Sequence, residues 1–373
     1  MTTGKQRDPR VVDPQPFVAI SILNWNDWRD TLECLESVRR LDYPNYLTVA
    51  VDNASWDGSA EKIKAWAEAK LGPEHVLAEY SQETALKGGE EETERALGRA
   101  LSSARLVLIR NQENLGFTGG NNASISYALC RPSLCDYVFL LNNDAVVEPD
   151  CLAQLVAVDQ AADAGAVVAT FKSIPDLTQG THAVQRAKAR EAIESCDRQV
   201  DQIMSASGSP WVDVPWVGGG ALLLRRDLLE ALREHQGSYL DQRLFMYLDD
   251  LALSLAAQKL GYSTVQASRA IAYHTAATSS GGRYSAIEYY YGTRNSIHLA
   301  AQRPARQRLR FHLLFPIKTV GRMAKNLIYG RPGAARAVFW GLVDGYRGVT
   351  GKWRDHDREA PAATVLRHPT RAG

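Results

Sequence analysis

Five short runs rich in valine, isoleucine and leucine recur through the first half of the chain, separated by longer amphipathic stretches. This alternation limits the fold more than any other feature. The runs are FVAISIL (17–23), YLTVAVD (46–52), RLVLIR (105–110), YVFLLN (137–142) and AGAVVAT (164–170). They are continuously apolar, which fits strands covered on both faces, as in a parallel sheet with helices above and below. Between them, DWRDTLECLESVRRL and GSAEKIKAWAEAKLG show helical spacing, the second opening at Ser59 and closing at Gly72. The expected fold is therefore α/β: a doubly wound, mostly parallel sheet.

The pattern changes near residue 211, where WVDVPWVGGGALLLRRDLLEAL places a glycine-rich bend between two strand-like runs and a helix. This predicts a smaller, mixed part of the sheet, followed by C-terminal helices. The expected organisation is a flexible arm (1–16), a first half (17–150), a second half (151–300) and a basic helical extension (301–373). Residues 73–104 are highly charged and are expected to form a strand-free surface insertion. The stretch from Arg358 is expected to fray.

Formal charge is balanced, at +1 from 43 basic and 42 acidic residues, so no global field points to nucleic acid. The five cysteines form no CxxC pair or zinc spacing, and their odd number argues against a disulfide framework; a reducing cytoplasm is the expected location. No apolar run approaches the roughly 20 residues needed to span a bilayer. From Arg303 to Arg336, however, there are nine basic residues and no acid, interleaved with Phe311, Leu313, Leu314, Phe315, Leu327 and Ile328. Such a segment either lies on an anionic membrane face or is a solvated helix packed on the rest of the protein.

Polar residues gather at the ends of the apolar runs. The run 138–141 stops at Asn142, Asn143 and Asp144, and in open α/β sheets ligands collect outside the carboxyl ends of strands. The first run ends at Asn24. The second ends at Asp52 and Asn53, which either cap the next helix or accept from a nucleobase or ribose. The third leads into NQENLGFTGGNN, where Gly116, Gly119 and Gly120 stand among Asn114, Asn121 and Asn122. This is either a plain turn or a loop whose amides approach a ligand. GxGxxG and GxxxxGK[ST] are both absent, which argues against dinucleotide and P-loop chemistry. A strand-end carboxylate flanked by amides suits Mg²⁺ or Mn²⁺ with waters and substrate phosphates completing the shell. Asp249 and Asp250 precede LALSLAAQKLG, a helix that Gly261 terminates, and the helix N-terminus favours their ionised form.

Seven motifs occur in linked order: VAISILNWN, VDNASWDGS, NLGFTGGNN, FLLNNDAVVEPD, GGGALLLRRDLL, LFMYLDDLALSLAAQKLGYS and AIAYHTAATSS. In order and spacing the chain resembles the family-two inverting glycosyltransferases, most closely their rhamnosyltransferase-like branch. The resemblance implies a GT-A type nucleotide-sugar-binding fold and a nucleotide-sugar donor, UDP- or dTDP-linked, held by Asn24, Asp52, Asn53, the Asn114–Asn122 stretch and Asn142–Asp144. It implies a divalent metal on Asp144 and His274, Asp250 as catalytic base with Asp249 beside it, and Gly219, Gly220 and Arg294 on the acceptor side. A further acid common two positions after the pair is Ala252 here, which puts acceptor positioning in question. The implied acceptor is a glycan, a lipid-linked glycan or a small molecule. The alternatives are a sugar-nucleotide nucleotidyltransferase and a non-catalytic glycan-binding protein.

Overall fold

The structure, a computed structural model, describes residues 15–131, 134–172, 208–274 and 285–354; the side chain of His274 lies outside that description. Most of the expected arm and the whole stretch from Arg358 also lie outside it. The strands are β1 (Val18–Asn24), β2 (Tyr46–Asp52), β3 (Val76–Ser81), β4 (Arg105–Arg110), β5 (Tyr137–Asn142), β6 (Ala145–Val147), β7 (Gly165–Lys172), β8 (Trp211–Asp213), β9 (Ala221–Arg225) and β10 (Ser263–His274). The helices are α1 (Trp28–Val38), α2 (Ser59–Lys70), α3 (Gln82–Leu86), α4 (Glu91–Arg99), α5 (Gly116–Cys130), α6 (Cys151–Ala162), α7 (Arg226–Gln236), α8 (Asp249–Lys259), α9 (Ala286–Ala300), α10 (Ala305–Ile328) and α11 (Pro332–Arg347).

All ten strands join one sheet in the order β3-β4-β2-β1-β5-β9-β7-β10-β6, with β8 on β10. From β3 to β5 every pairing is parallel. Antiparallel β9 then separates β5 from β7, and β6 and β8 pair antiparallel with β10. Alternate residues of one strand serve opposite faces: Val18, Ile20 and Ile22 enter one buried cluster, while Ala19 enters the other. Two covered faces explain why the central strands read as unbroken apolar runs.

Residues 73–104 are not strand-free. VLAEYS forms β3, parallel to β4, with Ala78 and Tyr80 buried and Glu79 exposed. As the edge strand it alternates in polarity, and its charged flanks hide so short a pattern.

FTGGNN is not a loop but the first turns of α5. A Cβ at Gly120 would stand 2.4 Å from Leu23 Cδ1, so this glycine lets the helix press against β1.

Candidate active site

The parallel pairing of β1, β2 and β5 brings their polar ends together: Asn24 is level with Asp52, and Leu23 with Asn142. These ends border a cleft of about 280 Å³ whose walls include Trp25, Asn53, Asn114, Asn142–Asp144, Phe245, Tyr291 and Trp353. The indole Nε1 atoms of Trp25 and Trp353 are buried without a hydrogen-bond partner. An unmet buried donor costs about 1–3 kcal/mol.

Several expected donor-site residues act first as braces. Asn24 Nδ2 donates to Asp52 (3.0 Å) and Ser55 (3.1 Å), and its Oδ1 accepts from Thr31 (2.8 Å). The other Asp52 oxygen accepts from the Ser55 amide, so both carboxylate oxygens have partners inside the protein. Asn53 lines the cleft and ties β2 to the following loop, donating to Asn114 and the Gly116 carbonyl. Gly116 has φ +72, and a Cβ there would lie 2.4 Å from the Phe245 carbonyl, so only glycine fits. Asn121 accepts from Ser21, while Asn122 exchanges two bonds with the Leu240 backbone; both are buried.

After Asp144 the chain turns into β6, which runs antiparallel to β10 and sets Ala145 opposite His274. The pairing therefore puts the backbone of His274 one residue from Asp144 on the neighbouring strand. Asp144 is itself buried at the cleft, and Asn143 donates to Thr31 and to the Asp27 carbonyl. Burial, with the charges of Asp30 and Asp144, raises the Asp27 carboxyl to about 6. Negative charge is thus concentrated at this strand end, as a cation site requires. Among the described residues no three His, Cys, Asp or Glu side chains cluster as metal ligands.

Asp249 and Asp250 occupy the first turn of α8; neither is its N-cap, which is Leu248. The turn before them is strained: Phe245, Tyr247 and Leu248 all have φ between 60° and 64°, where bulky residues pay of order 1–3 kcal/mol each. Phe245 and Met246 line the cleft, so the turn forms one of its walls before delivering the acid pair behind it. A Cβ at Gly219 would come 3.7 Å from Asp250 Cβ and 3.9 Å from Phe117, which also lines the cleft. Gly219 therefore borders the acids, whereas Gly220 accepts from the Asn142 amide and packs on Phe171.

Helix-end amides do favour the ionised acids, but burial outweighs them. Asp249 is raised to about 7 by burial and the neighbouring Asp250 charge, and Asp250 is raised mainly by burial. Both keep some accessible surface while being surrounded by protein atoms. Between the unfolded value of about 3.9 and about 7, the native state binds more protons at Asp249, so its ionisation costs stability as pH rises through that window. Asp249→Asn should therefore stabilise the fold near pH 8 by about 2 kcal/mol, half of the roughly 4 implied by a three-unit shift. The gain should vanish near pH 4. An equal change in melting temperature at both pH values would contradict the burial of this charge.

Arg294 does not reach an acceptor. It is completely buried, donating to the carbonyls of Arg243, Leu244 and Gly351 and to Asn295, because α9 uses it to hold the strained turn. Asn295 donates to the carbonyls of Leu244, Met246 and Tyr247. Sequence reasoning also missed Trp25, Tyr291, Lys352 and Trp353 as cleft residues. Tyr291 stacks on Phe245 at 5.3 Å and Tyr290 on Trp353 at 4.4 Å, contacts between residues distant in the chain.

Comparison with known proteins agrees with this architecture. The chain is similar in fold to the mannosyltransferase PcManGT from Pyrobaculum calidifontis, solved with GDP-Man and Mn²⁺ (16% identity, TM-score 0.52, covering 90% of this chain and 88% of that one). It is also similar to S. aureus TarS 1-349 in complex with UDP-GlcNAc (13% identity, TM-score 0.51, 89% and 81% covered). No curated protein matches it at a significant level. Residues 14–287, most of the chain, match the family described as Glycosyltransferase like family 2. The α/β sheet, the polar strand ends and this match agree: the chain belongs to the family 2-like glycosyltransferases and has their GT-A fold.

Proposed function

We propose that the protein transfers a sugar, with inversion, from a UDP- or dTDP-linked donor to a hydroxyl of a glycan or lipid-linked acceptor. The observation that carries this reading is the convergence on one cleft of the Asn142–Asp144 strand end and the strained turn leading into Asp249–Asp250. The motif order favours a deoxyhexosyl donor of the rhamnosyl type. The Mn²⁺ and sugar nucleotides of the similar structures support a metal-assisted donor site.

Asp144 and His274 are the residues that would hold Mg²⁺ or Mn²⁺, and the chemistry such an ion supplies is neutralisation of the departing diphosphate. Asn53 and Asn114 shape the donor side, with Trp25 and Trp353 in its walls. Asp250 takes the proton from the acceptor hydroxyl. The freed oxygen bonds to the anomeric carbon as the bond to the diphosphate oxygen breaks, with the electron pair leaving on the nucleoside diphosphate. A single displacement inverts the anomeric centre. The raised proton affinity of Asp250 suits this role, because a general base works best with a pKa near the working pH.

Asp144→Ala tests the donor site. Calorimetry should show Mn²⁺-dependent affinity for UDP or dTDP falling by roughly 10- to 100-fold, on the scale of losing a metal-supporting group, with the melting temperature little changed. Undiminished Mn²⁺-dependent binding would show that the metal is held elsewhere.

A further inference from the structure

Helix α10 carries two of its faces in plain view. Thr319 and Asn326 are buried where it packs on α11. Around the cylinder from that seam, Leu309, Leu313, Ile317, Val320, Leu327 and Ile328 fall on one continuous arc at helical spacing, and they are 58–83% exposed. Beside this arc, on the flank leading back to the seam, stand Lys318, Arg322 and Lys325, all exposed. Near the N-terminal end, Arg303, Arg310 and Lys318 line a groove with Phe311 and Phe315, whose rings stack at 4.4 Å.

Exposing six large aliphatic side chains to water on one helix is unfavourable, since each buries about 1.5–3 kcal/mol worth of surface when covered. The charge around the arc indicates what covers it. No acid occurs between 303 and 336, so a partner must offer both an apolar layer and negative charge. An anionic bilayer offers the two at adjacent depths, acyl chains beneath phosphate headgroups. No described helix is long and apolar enough to cross a membrane, so the contact lies in the plane of the surface. We infer that α10 is an in-plane membrane anchor that docks the protein on anionic phospholipid, with Leu309–Ile328 side chains among the acyl chains and the Lys318–Arg322–Lys325 flank on the phosphates. The cleft is coupled to this anchor: Tyr291 on α9 lines it, α9 packs on α11, and α11 carries α10. Docking therefore brings the cleft to acceptors held in a membrane. The inference does not depend on the chemistry assigned to the cleft.

Co-sedimentation of the full chain with vesicles tests it, using phosphatidylcholine alone and phosphatidylcholine with phosphatidylglycerol. Binding to the anionic vesicles is expected at low salt, weakening as salt rises, with little binding to the neutral ones. Each Lys or Arg near such a surface contributes roughly fivefold to partitioning, so Lys318→Gln/Arg322→Gln/Lys325→Gln should lose roughly a hundredfold. Ile317→Glu should lose binding with an unchanged melting temperature, because Ile317 is 69% exposed. Binding unaltered in both variants, or no preference for anionic vesicles, would overturn the proposal. So would sedimentation velocity showing a dimer that Ile317→Glu dissociates, since the face would then be an interface between copies.

Discussion

Asp250→Asn is expected to bind the nucleotide-sugar donor as the parent does and to turn over roughly 10²- to 10⁴-fold more slowly, the usual worth of a positioned general base. Asparagine preserves size and still accepts from the Leu251 amide, which Asp250 now holds at 2.7 Å, so the start of α8 should keep its geometry. What it cannot do is take a proton. Asp249→Asn should cost less in turnover, since Asp249 is the more enclosed of the two and burial, not Asp249, is what keeps Asp250 basic. Its pH–rate profile should keep the acidic limb of the parent, because burial and not Asp249 raises Asp250. Steady-state rates for both variants, with donor affinity measured separately, decide the assignment. If Asp249→Asn is inactive and Asp250→Asn is normal, the base is Asp249.

Arg294→Met should destabilise the protein by about 2–3 kcal/mol, for one carbonyl left without a donor and weaker support of the turn. The side chain is the largest among the fully buried ones, and three backbone carbonyls accept from its guanidinium. Methionine fills much of the volume but offers no donor: the Leu244 carbonyl keeps the Asn295 amide and the Arg243 carbonyl keeps the Gly351 amide, while the Gly351 carbonyl loses its donor, at about 1–3 kcal/mol. The turn they belong to then loses the brace that keeps Phe245, Tyr247 and Leu248 at positive φ. Arg294→Lys should recover little, because a single ammonium cannot span the fork. Denaturant unfolding of the three proteins gives the comparison, and a loss under about 1 kcal/mol for Met would show that the turn supports itself without the clamp.

Local patterns in the chain identified several parts of the molecule. YLTVAVD, RLVLIR and YVFLLN became β2, β4 and β5 with their boundaries unchanged, because a continuous apolar run is the signature of a strand covered on both sides. Of the polar residues at the ends of β1, β2 and β5, Asn53 and Asn142–Asp144 line the cleft, whereas Asn24 and Asp52 are buried and bond to each other, Ser55 and Thr31. The resemblance suggested Asp144 and His274 as partners; the β6–β10 pairing brings their backbones together. Where the reading failed, the signal was short or the reason lay far off. The six residues of β3 were masked by surrounding charge, and the glycines of FTGGNN are spent on close helix packing. Arg294 reads as an exposed ligand only while the carbonyls it serves, 50 to 57 positions away, remain out of view.

The sequence by itself determined the kind of each main element and the residue types at the strand ends, since both follow from side-chain sterics and periodicity over a few neighbours. Tertiary structure alone decided that β9 lies between β5 and β7, that a turn of strained residues is held in place, and that Asp249 and Asp250 bind protons more tightly than free carboxyls. Those properties arise from burial and from hydrogen bonds between residues distant in the chain. Desolvation depends on what surrounds a group in space, and no local spacing encodes it.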